Sequence, residues 1–427
     1  MIRLLFNIPF LIKHAYLIFR FESWNKSKIE KFQIKQFKKI FEKAIKLPFY
    51  KEIYKDIDLS TIHINSIADL QKLPIIHKEL CRKLKYEDYF ISNAIPHTIT
   101  TPTSGSTGKP FHIQIPARIE MIPALKVLYA MRQYGWNPTW KGLEIWREDN
   151  STHKGFMRKL GLLQSISIFK PLDEIKECIE QKQPDFLFCN RSFYMILADY
   201  FERIGFSYTP KFLLCTAEEV RPEHRQRLET FFNAKLLNIY GCMESPTLAY
   251  TCPECNNMHI FESTAIVEVV NKRDIDGETF GDIVLTNLTN NIMPFVRYKT
   301  GDVVKVIDST CTCGRKSQII GDIIGRSDDV IHLPDGRVLN YIHFWQRFRK
   351  PLLIDNPYLI QQYKVLYFKE TNTIKFLFRL TRPNSETEEI IQSIMQNAFN
   401  DIQHTYEIVD TLPISKSGKY KIVEIIE

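Results

Sequence analysis

Apolar side chains recur at helical spacing in two stretches of this 427-residue chain. Between residues 31 and 45 they return every three or four positions, with lysines between them. That spacing predicts an amphipathic helix with one face against a core, ended by the Leu47-Pro48 step. A similar pattern predicts a second helix over residues 118–135, with Pro123 inside it.

A different pattern runs from residue 185 to residue 240, where short apolar runs alternate with amphipathic stretches. The runs predict strands over 185–189, 211–215 and 235–240, and the stretches predict helices over 192–204 and 222–232. Strands that alternate with helices form a parallel sheet, and such sheets bind ligands at the carboxyl ends of their strands. We therefore expect a ligand site at that edge.

After Gly241 the pattern becomes β-rich. Residues 264–270, 282–288 and 302–308 each read as a separate strand. They predict an antiparallel subdomain around residues 250–325.

The last hundred residues predict a separate small unit. Residues 363–368 and 374–380 predict a hairpin, and residues 386–402 predict a helix. The chain is also too long for one ordinary core. The predicted fold is α/β: a large N-terminal domain over 1–325, with parallel sheets flanked by helices and the β-rich subdomain, and a small mobile α+β cap over 326–427.

Composition excludes some functions. Hydrophobic residues make up 44% and charged residues 25%, an ordinary globular balance, and the formal net charge of +8 is modest. The sequence has no cluster of arginine and lysine interleaved with aromatic residues, so it does not predict nucleic-acid binding. The densest lysine run, Lys26 to Lys43, is expected to be a solvated helix face.

The first 21 residues are apolar and aromatic, interrupted by Arg3, Lys13 and Arg20. This segment is too short and too charged to span a bilayer, and it lacks the small-residue cleavage site of a secretory signal. We therefore expect a cytoplasmic protein. Two interpretations of the segment remain: a helix packed on the protein body, or a peripheral contact with the anionic inner face of the membrane.

Four of the nine cysteines form two tight pairs, Cys252 with Cys255 and Cys311 with Cys313. An odd number of cysteines in a long chain argues against a disulfide framework. Two such pairs can complete a tetrahedron around Zn²⁺, in a structural site, with His259 as an alternative ligand. Reduced thiols without metal and a redox pair remain the alternatives.

The segment 103–110 predicts a phosphate-binding loop. It holds two glycines, four hydroxyl residues and one lysine between two β-prone stretches. Glycine lets backbone N–H groups approach phosphate oxygens, and the hydroxyl and ammonium groups add donors. It is not a Walker A loop, because Thr103 replaces the first glycine and Pro110 replaces the hydroxyl residue that ligates magnesium. A polar hairpin turn is the alternative.

Four more segments place polar groups near predicted strand ends or on loops. They are Cys215–Glu219, Tyr240–Glu244, Phe295–Asp302 and Leu412–Lys419. Each is a weak signal alone, because a Gly-Asp turn is usually structural and a lysine near a terminus is usually a solvated charge.

Together and in this order, these segments resemble the motifs of the adenylate-forming ligases, the superfamily of acyl-CoA synthetases and peptide-synthetase adenylation domains. Residues 103–110 resemble its phosphate loop, and Gly325–Asp329 resembles its interdomain hinge motif. The resemblance covers roughly residues 30–427. It is more specific to the phenylacetate–coenzyme A ligases and their capsular-polysaccharide-biosynthesis relatives, through Leu47–Lys51, Leu73–Lys78, Leu333–Arg337 and the cysteine pairs.

The resemblance implies an enzyme that activates a carboxylic acid with ATP as an acyl-AMP and passes the acyl group to an acceptor. That acceptor is coenzyme A, or an amine or hydroxyl of a cell-surface sugar. The implied ligands of the β- and γ-phosphates are Ser104, Gly105, Ser106, Thr107, Gly108 and Lys109. The implied adenine slot is lined by Ala217, Glu218, Tyr240 and Gly241.

Four further roles follow from the same resemblance. Asp302 accepts hydrogen bonds from the ribose hydroxyls with the help of Arg326, Glu244 holds Mg²⁺, and Lys419 moves in on the cap to meet the α-phosphate and the carboxylate. Preorganised cations of this kind stabilise the negative charge that gathers in the transition state.

Two departures from the family pattern bear on activity. Met243 replaces the usual hydroxyl residue of the Tyr-Gly-x-x-Glu motif, and residues 330–337 lack the glycine-rich pattern common in coenzyme A ligases. The second departure weakens the prediction of coenzyme A as the acceptor. An alternative hypothesis is an inactive relative that binds a nucleotide or acyl group in a polysaccharide assembly pathway.

Overall fold

The structure, a computed structural model, describes residues 8–83, 88, 98–102, 112–146, 161–275, 277–326, 330–348, 351–352, 355–356, 359–381, 383–412 and 422–426. Its α-helices are α1 (Ile8–Phe21), α2 (Lys26–Ala44), α3 (Pro48–Ile53), α4 (Lys78–Lys83), α5 (Ile122–Gln133), α6 (Leu172–Lys182), α7 (Arg191–Arg203), α8 (Pro222–Phe232), α9 (Tyr341–Phe348) and α10 (Ser385–Ala398).

The strands of the first half are β1 (Thr98–Pro102), β2 (His112–Pro116), β3 (Gly142–Trp146), β4 (Leu163–Ser167), β5 (Phe186–Cys189), β6 (Phe212–Thr216), β7 (Lys235–Cys242) and β8 (Ser245–Thr251). Those that follow are β9 (Met258–Ile260), β10 (Ala265–Ile275), β11 (Glu278–Asn287), β12 (Tyr298–Lys305), β13 (Ile319–Ile320), β14 (Ile323–Arg326), β15 (Val330–His332), β16 (Val338–Asn340), β17 (Ile360–Phe368), β18 (Thr373–Leu380), β19 (His404–Ile408) and β20 (Val423–Ile426).

The helix predicted over residues 31–45 is α2, which begins earlier. Asn25 caps it by accepting a hydrogen bond from the backbone N–H of Lys28 at 2.9 Å. The helix ends before the Leu47-Pro48 step as predicted, but Pro48 then starts α3, which the sequence pattern did not reveal. Proline fits the first turn of a helix because the N–H groups there have no partner within the helix.

The helix predicted over residues 118–135 is the shorter α5, which begins at Ile122 after a 3₁₀ turn. Pro123 therefore lies in the first turn of the helix and does not interrupt it.

The alternating strands and helices build an eight-stranded sheet in the order β13-β9-β8-β7-β6-β5-β3-β4. Neighbouring strands from β4 to β7 are parallel, with α6, α7 and α8 in the connections. The strands β5, β6 and β7 and the helices α7 and α8 were predicted, whereas β3, β4 and α6 were not. The sheet is nevertheless mixed, because β8, β9 and β13 extend it antiparallel beyond β7. Part of the region predicted as a separate β-subdomain therefore belongs to this sheet.

The predicted antiparallel strands form a second sheet, in the order β10-β11-β12-β14. A third sheet, β19-β18-β17-β20, contains the predicted hairpin of β17 and β18. One core cluster joins the two sheets: Phe280 and Val303 of the second sheet pack with Phe348 and Phe376 of the C-terminal region. The domain boundary at residue 325 stays a prediction.

The N-terminal helix α1 packs on α5 and buries Ile18 and Phe21. The interpretation of this segment as a helix on the protein body is thus supported for one of its faces. Among the described residues, the helices are all too short or too polar to cross a membrane.

Candidate functional site

The carboxyl ends of β6 and β7 lie side by side at one edge of the large sheet. Directly after β6, Ala217 has a φ of +72°, in the left-handed region that residues with a Cβ atom rarely adopt. The side chain of Glu218 anchors this turn to the start of α7, where its carboxylate accepts hydrogen bonds from Ser192 N at 2.8 Å and Oγ at 2.6 Å. Strained backbone held in this way clusters at ligand sites.

Three of the predicted residues come together beside this turn. The hydroxyl of Tyr240, on β7, donates a hydrogen bond to Asp302 Oδ2 at 2.6 Å. Asp302 lies opposite Arg326 in the pairing of β12 with β14, and Arg326 Nε is 3.9 Å from Asp302 Oδ1. Thr300, to which sequence reasoning gave no role, accepts a hydrogen bond from the backbone N–H of Asp302 at 3.1 Å.

The neighbours of Asp302 make its carboxylate a hydrogen-bond acceptor. Burial raises the pKa of Tyr240 well above its ordinary value, and the negative charge of Asp302 raises it further. Tyr240 therefore remains a hydrogen-bond donor, and the guanidinium of Arg326 lies on the other side of the carboxylate. This arrangement leaves a partly exposed carboxylate, held from two sides, at the edge of the sheet.

Glu244 lies in the turn between β7 and β8. Its side chain is buried, and its carbonyl oxygen accepts a hydrogen bond from Asn287 Nδ2 at 2.7 Å. The turn depends on Gly241, because a Cβ atom there would lie 2.5 Å from the backbone nitrogen of Thr247. Met243, the departure from the family motif, packs against an apolar core cluster.

Two side chains to which sequence reasoning gave no role lie close to Glu244. Burial raises the pKa of Tyr298 far above its ordinary value, and Glu244 raises it further through charge and a hydrogen bond. Burial also raises the pKa of Cys242, and the negative charges of Glu244 and Asp302 raise it further. Cys242 thus lies near both carboxylates, which places Glu244 and Asp302 in one neighbourhood. Tyr298 belongs to the segment ending at Asp302, so the sequence contained a signal for it.

A buried lysine holds the backbone of β8 just after the turn that contains Glu244. Lys126, on α5, is 2% exposed and donates hydrogen bonds to the carbonyl oxygens of Thr247 at 3.0 Å and Pro246 at 3.5 Å. Thr247 has a φ of +57°, which is unusual for a β-branched residue. Burial lowers the pKa of Lys126 from 10.5 to about 7. Lys126 therefore holds a strained backbone position three residues after Glu244.

The two cysteine pairs meet across the sheet, as predicted. The ligand atoms of Cys252, His259, Cys311 and Cys313 all lie within 4.8 Å of one another. Cys255 is outside that mutually close set, although its sulfur is 3.0 Å from Cys311 Sγ. The cluster thus offers five donors, and the four that converge include the histidine that the sequence gave only as an alternative.

The geometry of His259 fits a metal ligand. Its Nε2 atom is 3.2 Å from Cys313 Sγ, and its Nδ1 atom is 2.7 Å from the hydroxyl of Ser317. A hydrogen bond on one ring nitrogen fixes the imidazole and directs the other nitrogen at a metal. Burial lowers the pKa of His259 to about 4, so the ring is neutral, as a ligand must be. Three thiols and one imidazole in a small buried volume suit Zn²⁺.

Several predicted site residues lie outside the described residues. They are Ser104, Gly105, Ser106, Thr107, Gly108 and Lys109 of the predicted phosphate loop, Ser327 to Asp329 of the hinge motif, and Lys419. Strands β1 and β2, on either side of the phosphate loop, pair antiparallel, with Pro102 opposite His112. Strands β19 and β20, on either side of Lys419, belong to the third sheet.

The chain is similar in sequence to phenylacetate–coenzyme A ligases. No family model matches the chain. A phenylacetate–coenzyme A ligase of Thermus thermophilus is 22% identical over 376 residues, which cover 84% of this chain and 82% of the relative. The phenylacetate–coenzyme A ligase of Pseudomonas putida is 26% identical over 304 residues, covering 67% of each chain.

Solved structures show the same fold. A crystal structure of 2-hydroxyisobutyryl-CoA ligase in the postadenylation state, in complex with R3-HIB-AMP, has a TM-score of 0.72 and 16% identity. The match covers 95% of this chain and 91% of the other. The same ligase with 2-HIB-AMP and CoA in its thioesterification state has a TM-score of 0.62. These likenesses confirm the predicted α/β fold class.

Proposed function

We propose that this chain, a member of the adenylate-forming superfamily that is similar to phenylacetate–coenzyme A ligases, converts a carboxylic acid and ATP into an acyl-AMP and then transfers the acyl group. The observation that carries the proposal is the convergence of Asp302 and Arg326, from the second sheet, with Tyr240 and the turn at Ala217, at the carboxyl ends of the parallel strands β6 and β7. The relatives are ligases, so the alternative of an inactive binding protein is not favoured.

The described residues suit the nucleoside part of ATP. A carboxylate such as that of Asp302 can accept hydrogen bonds from two ribose hydroxyls, and Tyr240 and Arg326 keep it in place. The exposed turn at Ala217 offers backbone groups to the adenine. We further propose that Ser104 to Lys109 bind the outer phosphates and that Lys419 meets the α-phosphate, as the resemblance implies.

Activation is needed because the negative charge of a carboxylate repels nucleophiles. Joining it to AMP removes that charge and supplies a good leaving group. The protein's contribution is to orient the two reactants and to place positive charge where negative charge develops at the α-phosphate. Lys419 and Arg326 are the residues we propose for the second task.

Two metals complete the proposal. Glu244 offers a hard oxygen ligand, which suits Mg²⁺ held jointly with phosphate oxygens, and Tyr298 orients this carboxylate. Cys252, His259, Cys311 and Cys313 would hold a structural Zn²⁺ that ties β9 and the segment before β13 together. With four protein ligands the zinc site is closed, so it takes no part in the reaction.

Coenzyme A is the acceptor that we propose, since both the sequence relatives and the structural neighbour are coenzyme A ligases. An amine or hydroxyl of a cell-surface sugar is the second candidate, because residues 330–337 lack the glycine-rich pattern of many coenzyme A ligases. A cytoplasmic location fits both ATP and the thiols of the zinc site. Adding coenzyme A to enzyme that has formed acyl-AMP distinguishes the acceptors: thioester forms only in the first case.

ATP–pyrophosphate exchange tests the first step without an acceptor. With a suitable acid from a broad panel, labelled pyrophosphate should enter ATP. Asp302→Asn should lower the exchange rate at low ATP by about tenfold or more, because a hydrogen bond to a charged group is lost. Asp308→Asn, at an exposed aspartate, should leave exchange unchanged. Lys419→Ala should suppress it by orders of magnitude. Equal exchange in Asp302→Asn and wild type would contradict the proposed ribose site.

A further inference from the structure

The first helix presents an apolar stripe to solvent. Opposite the buried Ile18 and Phe21, the side chains of Ile12 and Tyr16 are 63% and 61% exposed. They are four residues apart, so they are neighbours on one face of α1. Large apolar side chains this exposed are few in the described part of the molecule, and two of them lie side by side here.

The charges around this stripe have one sign. Between residues 8 and 28 the exposed charged side chains are four cations, Lys13, Arg20, Lys26 and Lys28. Lys28 Nζ also lies 4.0 Å from the centre of the Trp24 ring, in the turn that follows α1. The half-buried Trp24 packs against the buried Phe21, with 4.9 Å between the ring centres, at the junction of α1 and α2.

The single acidic residue of this segment does not offset those cations. Glu22 is 6% exposed, and its carboxylate accepts hydrogen bonds from Tyr129 at 2.6 Å and from Tyr250 at 2.8 Å. Arg315, two residues after Cys313, lies 3.0 Å from the same carboxylate. The interior of the protein therefore neutralises Glu22, and this anchor holds the end of α1 firmly on the body.

We propose that the exposed face of α1, called the docking face (Ile12, Lys13, Tyr16 and Arg20), binds the protein peripherally to an anionic lipid bilayer. Ile12 and Tyr16 would enter the interfacial region, where tyrosine and tryptophan are favoured, and the cations would meet the lipid headgroups. The inference is independent of the chemistry proposed for the ligand site.

The charge pattern favours lipid over a second copy of the chain. Two copies meeting through this face would bring Lys13 and Arg20 of one copy against the same cations of the other, without exposed acids from the same segment, and like charges in contact are unfavourable. An anionic bilayer supplies the opposite charge over a wide surface and an apolar layer beneath it. A bilayer thus matches both the positive charge and the exposed apolar side chains of the docking face.

Sedimentation of the full chain with lipid vesicles tests the proposal. Binding is expected to phosphatidylcholine vesicles that contain about 30 mol % phosphatidylglycerol, but not to phosphatidylcholine alone, and to weaken as salt rises. The double variant Ile12→Gln/Tyr16→Gln should bind about tenfold more weakly. Phe169→Gln is the matched control, because Phe169 is 76% exposed elsewhere on the surface.

A second pair of variants isolates the charge. Lys13→Glu/Arg20→Glu should lower binding about tenfold or more, whereas Lys51→Glu/Lys272→Glu, with the same change in net charge at exposed sites, should not. Vesicle binding that is absent, or equal in all variants, would overturn the proposal. So would a wild-type dimer in solution that Ile12→Gln/Tyr16→Gln dissociates, since the face would then be covered by a second copy. Unchanged circular dichroism verifies that each variant is folded.

Discussion

At the scale of single residues, Lys126 gives the folded state a distinct dependence on pH. Burial holds the pKa of this amine at about 7, against 10.5 in the unfolded chain. Between those values the unfolded chain binds more protons, so the folded state gains stability as the pH rises. Relative to Lys126→Met, the wild type should gain on the order of 2 kcal/mol between about pH 7.5 and 9.5.

Urea denaturation at both pH values measures this gain. Lys235→Met, at an exposed lysine, is the control and should show no such relative gain. A constant difference between wild type and Lys126→Met across this pH range would contradict a buried amine at this position.

Arg297 is the second residue with a testable structural role. Its guanidinium makes two hydrogen bonds to Glu268, at 2.9 and 3.0 Å; the arginine is buried, and the side chain of Glu268 is only 9% exposed. Removing one partner leaves a buried charge unpaired, so Glu268→Ala should cost about 3 kcal/mol of folding free energy. Glu278→Ala, which breaks the more exposed pair with Lys305, should cost less than about 1 kcal/mol.

Thermal unfolding compares the two variants. Equal losses in Glu268→Ala and Glu278→Ala would show that burial does not distinguish these pairs. The sequence contained Arg297 within a motif, but nothing in it indicated that Glu268, 29 residues earlier, is its partner. Pairs of this kind depend on how strands are placed in space, which local patterns do not record.

At the scale of elements, the cysteine cluster predicts one zinc ion per chain with three cysteines and one histidine. Cys255→Ser should therefore retain zinc, whereas His259→Ala and Cys313→Ser should lose most of it. Chelation of the metal should lower the melting temperature, because binding energy of a structural zinc site is folding energy. Metal analysis by mass spectrometry and thermal unfolding measure the two effects.

The opposite pattern of zinc loss in these variants would identify a different set of zinc ligands. If Cys255→Ser releases zinc and His259→Ala keeps it, the four cysteines are the ligands, as the sequence first suggested. If the purified protein contains no zinc, the metal site is wrong and the cysteines are reduced thiols without a metal.

The elements that the sequence predicted are those with local signals. The period of apolar residues identified α2, α7 and α8, and the short apolar runs identified β5, β6 and β7. It did not predict that β8, β9 and β13 join the parallel strands in one mixed sheet, since those pairings connect distant residues. The short helix α3 was missed because only six residues form it.

At the scale of the whole molecule, a single core links the second sheet to the C-terminal region. Phe280 and Val303 share a cluster with Phe348, Phe376 and Phe399. The site residues Asp302 and Arg326 lie on strands of that same sheet. The order of motifs along the sequence led to the proposed site, which stays a prediction, whereas the contacts of Thr300, Tyr298 and Lys126 around it required the structure.

We propose above all that the carboxyl ends of β6 and β7, together with Asp302 and Arg326 of the second sheet, bind the nucleotide of an adenylation reaction. Equilibrium dialysis of the full chain with labelled ATP and magnesium tests it most directly. We expect one ATP bound per chain, displaced by AMP, with affinity about tenfold or more lower in Asp302→Asn. A folded, zinc-containing protein that binds neither ATP nor AMP would contradict the account.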